Sequence, residues 1–119
     1  MSVSEMFPFL DTETGLSYAA DDEELYTEIV QSYAYDSQEE ELKEAYEGKD
    51  WKNFAVIWHG IKSTSLTIGA TELSAKAKEM EFAGKEENVA LIMEKHETYY
   101  KEYIDLLAKL RDIVEAPED

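Results

Sequence analysis

Cysteine is absent from this 119-residue chain. Disulfide scaffolds, thiolate metal sites and cysteine nucleophiles are excluded with it. Proline occurs twice and glycine five times, so the chain has few obligatory breaks. Basic residues are scarce: 11 Lys and Arg stand against 28 Asp and Glu, a net charge of −17. So acidic a surface repels phosphate backbones and anionic lipid, which argues against nucleic acid and against membrane insertion or surface binding. No apolar run is long enough to span a bilayer. Residues 1–10 lack a basic start and hold a proline in their brief apolar run, unlike a signal peptide. Together these deficits point to a reduced, cytoplasmic protein.

What remains is globular and helical. Hydrophobic residues make up 44% and include eight Tyr, four Phe and two Trp, which separates the chain from a disordered acidic tail. Glu, Lys, Ala and Leu dominate, with no alternating runs of strand type. The expected fold is all-α: an up-and-down antiparallel four-helix bundle with a short N-terminal lead-in and a short additional helix. The whole chain, 1–119, reads as one domain, with 1–14 as the lead-in, 15–115 as the bundle and 116–119 as a tail. Residues 11–20 are expected to be an ordered lead-in.

Helix signals divide the bundle. Asp21 or Asp22 can cap a first helix running to about Tyr35, with Leu25, Ile29, Ser32 and Tyr33 on one face. Asp36 or Ser37 can cap a short second helix with Leu42, Ala45 and Tyr46 inward, ended by Gly48. Asp50 caps a third from Trp51 to about Ile68. Gly69 punctuates; a fourth helix carries Ala70, Leu73, Ala77 and Met80 to about Phe82, and Gly84 breaks it. A long last helix over about 87–115 bears Val89, Ile92, His96, Tyr99, Tyr103, Leu106, Leu110 and Ile113 at helical spacing, and Pro117 stops it.

The two histidines differ in setting. With Phe54 at 0° on a helical wheel, Trp51, Ile57, Trp58, Ile61, Ser65 and Ile68 form the core face, and His59 falls at about 140°, in solvent. Lys62 and Ser63 lie one turn on, while Ala55, Val56 and Leu66 present small or apolar surface beside the imidazole, as a docking patch requires. Residues 51–71 hold no Asp or Glu, so the least negative part of the chain surrounds His59. The bland alternative is an ordinary exposed helix residue. His96 lies on an apolar stripe and reads as a core histidine hydrogen-bonded to a neighbour. Neither histidine has metal-ligand spacing, so no metal site is expected. The segment 60–63 lacks the upstream glycines of a phosphate loop, and Ser63, Thr64 and Ser65 have no triad partners. Residues 39–41 read as a solvated acidic face, and Tyr99, Tyr100 and Tyr103 as core and core edge.

Residues 58–81 (WHGIKSTSLTIGATELSAKAKEME) resemble the histidine-containing phosphotransfer (HPt) domain of two-component phosphorelays. The matching series is His59, Ile61, Lys62, Ser63, Gly69, Ala70, Leu73 and Glu81, preceded by a GKDW turn at 48–51. Gly15, Leu16 and the 21–26 stretch resemble the family's opening, so the likeness spans roughly 15–115. One departure is Ser63, where the family usually has glycine; a small side chain there lets a partner approach the imidazole. The resemblance implies that His59 accepts a phosphoryl group from a receiver-domain aspartyl phosphate and passes it to another receiver. It implies that Lys62 offsets charge on the phosphoryl oxygens, with Ala55, Val56, Ser63 and Leu66 in docking and Gly69, Ala70 and Leu73 as structural motif. It also implies no cofactor on this chain, Mg²⁺ on the receiver, and response-regulator receivers or a hybrid sensor kinase as partners. A monomer is expected. The rival reading is a non-catalytic acidic helical adaptor that docks receivers without phosphotransfer; a helical metal-binding or hydrolytic domain is a weaker third.

Overall fold

Capping residues explain where the helices begin. The computed structural model describes residues 1–117, so part of the 116–119 tail lies outside the described residues. The elements are α1 (Val3–Met6), α2 (Thr12–Tyr18), α3 (Glu23–Tyr35), α4 (Glu39–Glu47), α5 (Trp51–Thr67), α6 (Thr71–Lys85) and α7 (Val89–Ile113), with no strand among the described residues. Asp11, Asp22, Asp50 and Asn88 cap α2, α3, α5 and α7 through side-chain acceptors, each satisfying an amide that the helix leaves unpaired. No described helix is long and apolar enough to cross a membrane.

Several expectations need correction. The lead-in contains α1 and α2, and its expected end at residue 14 falls inside α2. Neither Asp36 nor Ser37 caps α4; Gln38 stands at its N-cap without a side-chain bond. Ser37 instead receives a hydrogen bond from Arg111 Nη2 at 3.0 Å. Arg111 Nε also donates to the Ala34 carbonyl at 2.8 Å, satisfying an acceptor in the last turn of α3. The buried face of α3 is Tyr26, Val30, Tyr33 and Ala34, while Leu25 and Ser32 are exposed. That rotation follows from Tyr26, whose hydroxyl reaches the Ile68 carbonyl at 2.7 Å and draws its ring inward.

Helix α5 runs through the core and packs on α2, α4 and α6. Its wheel is as read: Trp51, Phe54, Ile57, Trp58, Ile61 and Ser65 are all buried. Gly69 ends this stretch at φ +85, and its carbonyl accepts from the Asp11 amide at 2.9 Å. In α7 the inward set is Ile92, His96, Tyr103, Leu107 and Leu110; Val89 and Ile113 at its ends are exposed. His96 is buried and stacks on Tyr46 with ring centroids 3.8 Å apart. Burial pushes its pKa down to about 4, so it is neutral at physiological pH. Its Nδ1 has no hydrogen-bond partner among the described residues, contrary to the bonded core histidine expected.

Gly84 does not break α6 but lies buried inside it. A Cβ there would come within 3.0 Å of Ala55 Cβ and 3.1 Å of Phe54 Cδ1, so its absence sets the close approach of α5 and α6. Gly60, in the middle of α5, has no such reason: a Cβ would meet only Gln38 Oε1, at 3.6 Å. A helix-interior glycine costs about 1 kcal/mol relative to alanine. Gly60→Ala should therefore stabilise the protein by about 0.5–1 kcal/mol in urea unfolding. Gly84→Ala should destabilise it by about 1–3 kcal/mol through overpacking. Shifts of the same sign would contradict this account of α5–α6 packing.

Candidate functional site

The close α5–α6 contact sets side chains of the two helices face to face. His59 and Lys62 lie one turn apart on α5, and Glu81 and Lys85 one turn apart on α6. The imidazole Nδ1 is 3.0 Å from Glu81 Oε2. Lys85 Nζ lies 2.8 Å from the same oxygen, and Lys62 Nζ 2.7 Å from Oε1. The Lys62 contact is an ion pair without hydrogen-bond alignment, because Oε1 has no bonded partner. Glu81 is 2% exposed, whereas the His59 side chain is 59% exposed.

A buried carboxylate resists ionisation. Here burial, the largest single influence, pushes the Glu81 pKa up, but Lys62, Lys85 and His59 together outweigh it and hold the carboxyl at about 2. An ionised carboxylate only accepts hydrogen bonds, so His59 Nδ1 must be the donor. In the neutral ring that leaves Nε2 with its lone pair, and no described protein atom bonds it. The arrangement presents an oriented nitrogen nucleophile flanked by two ammonium groups.

The residues singled out from sequence take different places here. His59 is exposed, and Lys62 lies against Glu81. Val56 is 62% exposed, and Ser63 and Leu66 are also exposed. The Ser63 hydroxyl turns back onto the His59 carbonyl at 3.2 Å. Ala55 is a correction: it is buried under Gly84 and forms the floor of a groove, not a projecting contact. That groove, of about 490 Å³, runs beside His59 between Lys52 and Val56 of α5 and Lys85 of α6. Gly69, Ala70 and Leu73 are all buried at the α5–α6 turn.

The acid-free setting of His59 holds along α5 only, since α6 brings Glu81 beneath the imidazole. Sequence reasoning placed Glu81 in a motif but gave it no partner, and it missed Lys85 altogether. The signal for Lys85 was its position four residues after Glu81. Among the described residues, no group of three or more His, Cys, Asp or Glu could hold a metal ion. No family model, curated protein or solved structure matches the chain.

Because the folded pKa of Glu81 lies below the ordinary carboxylate value of 4.5, its ionic contribution is present above pH 4.5. It is lost as pH falls towards about 2, and amounts to about 3 kcal/mol over that shift. Glu81→Gln should cost about 1–3 kcal/mol of stability at pH 7 by chemical denaturation. The gap from wild type should narrow at pH 3. An equal gap at both pH values would show that the ionised carboxylate is not what stabilises the site.

Proposed function

We propose that this chain is a histidine phosphotransfer protein, with His59 as phosphoryl acceptor. The observation that carries this reading is the Nδ1–H···Glu81 hydrogen bond on an otherwise exposed imidazole. It supports a nucleophile with Nε2 free, held in one tautomer and one orientation. The donor is the aspartyl phosphate of a response-regulator receiver, free or within a hybrid sensor kinase. In this reading α3, α5, α6 and α7 are the up-and-down bundle and α4 is the short additional helix. The protein acts in the cytoplasm as a monomer. The receiver carries Mg²⁺, and this chain contributes no cofactor.

The lone pair of Nε2 attacks phosphorus. The Nε2–P bond forms as the bond from phosphorus to the aspartate oxygen breaks, and the aspartate carboxylate leaves with the electron pair. The ring gains positive charge, which the Glu81 carboxylate offsets through Nδ1–H. Lys62 and Lys85 both reach solvent beside the imidazole, so one ammonium can turn to the phosphoryl oxygens while the other stays paired with Glu81. Reversal of the step onto a second receiver carboxylate completes the relay. Val56, Ser63 and Leu66 give the receiver an uncharged surface beside the reacting nitrogen.

Incubation with a radiolabelled phospho-receiver and Mg²⁺ tests the reading. Wild type should acquire acid-labile, alkali-stable label, and His59→Gln should acquire none while keeping its circular dichroism spectrum. Lys62→Ala should slow transfer by about tenfold, a loss of one charge contact in the transition state. Label on His59→Gln would remove His59 from the role. Binding of receivers without any transfer would establish the docking-only adaptor instead.

A further inference from the structure

The flank of α5 opposite Glu81 carries a second concavity. It is a pocket of about 260 Å³ between α3, the α3–α4 connection and α5. Ile29 and Ile61 supply apolar lining, and Asp36, Gly60, Thr64 and Thr67 line it as well. At this size it lies below the range of ordinary small-molecule sites and suits a single side chain.

Three features define the occupant. The first is Gly60, the residue after His59: nothing in the protein requires the missing side chain, and its absence keeps the pocket open. The second is the direction of the hydroxyl protons. Thr64 donates to the Gly60 carbonyl at 3.0 Å and Thr67 to the Ser63 carbonyl at 2.9 Å, so both oxygens offer lone pairs to a visitor. The third is Asp36, the one charged residue in the lining, whose carboxylate caps no helix. Acceptors and a carboxylate beside the apolar surface of Ile29, Ile61 and the Tyr33 and Tyr103 rings match a long side chain with a cationic head.

We infer that this pocket receives one lysine or arginine side chain of the protein that docks over α5. The inference rests on the phosphotransfer reading and adds a second anchor to it. The two flanks of α5 then differ in charge: Lys52, Lys62 and Lys85 outnumber Glu81 and Glu87 on the His59 side, and Asp36 stands alone on the other. A partner with a basic side chain on one side and acidic groups on the other can dock in only one direction, which fixes its phosphoryl donor against His59.

Amide NMR titration with N-acetyl-lysine methylamide tests the pocket without any receiver. Saturable shifts are expected at Asp36, Gly60, Thr64 and Thr67, absent with the uncharged norleucine analogue and abolished by Asp36→Asn or Gly60→Leu. Unsaturated shifts spread over the acidic surface, or shifts indifferent to both variants, would overturn the inference. With a receiver that labels His59, Gly60→Leu should weaken binding by about tenfold. Unchanged receiver affinity would overturn the anchoring role. Failure of every receiver to label wild type would defeat the phosphotransfer reading, and the NMR titration would still decide whether the pocket takes a basic side chain.

Discussion

A carboxylate out of water must find donors or lose its charge, and Glu81 imposes that constraint on the centre of this protein. Its partners are His59, Lys62 and Lys85, two helices supplying two groups each once Glu81 itself is counted. Meeting them depends on the α5–α6 separation, which Gly84 and Ala55 set by close contact. Packing and chemistry are thus one problem here. The same contact that closes the core brings an anion under the imidazole and assigns its proton to Nδ1.

The rest of the fold supports α5 in that position. Tyr26 bonds the Ile68 carbonyl, Asp11 bonds Gly69, and Ser74 of α6 donates to the Lys62 carbonyl at 2.9 Å, so the C-terminal half of α5 is tied on several sides. Tyr33 pairs with Ser65 at 2.8 Å inside the core. Arg111 joins α7 to the α3–α4 connection, next to the pocket that Asp36 lines. On a chain of net charge −17, the exposed strip of α5 from Val56 to Leu66 carries few charges of its own. A partner meets least repulsion there, with lysines on one flank and an aspartate on the other.

Much of α5 is legible in the sequence. Its Asp50 cap, its core face and the exposure of His59 all follow from local periodicity, because a central helix with two tryptophans has only one way to turn its bulk inward. Helix α3 is harder. Its apolar residues allow two neighbouring stripes, and long-range bonds such as Tyr26 to the Ile68 carbonyl and Tyr33 to Ser65 hold one of them inward. Gly84 misleads because a glycine near a helix end signals a stop, whereas here it relieves a contact with α5 that no local pattern encodes. Glu81 is the most instructive case. Its motif position and its place beside the Leu73, Ala77 and Met80 stripe single it out, but its three partners arise only from the pairing of helices. Lys85 becomes visible only through it.

The most direct measurement is the long-range ¹H–¹⁵N correlation spectrum of the His59 imidazole in wild type and Glu81→Gln, recorded above the pH at which the ring is protonated. The account predicts that wild-type His59 carries its proton on Nδ1 and that Nε2 is the unprotonated nitrogen. After phosphorylation, phosphorus should appear on Nε2. A ring protonated on Nε2, or phosphorus on Nδ1, would contradict the claim that buried Glu81 prepares His59 as the acceptor.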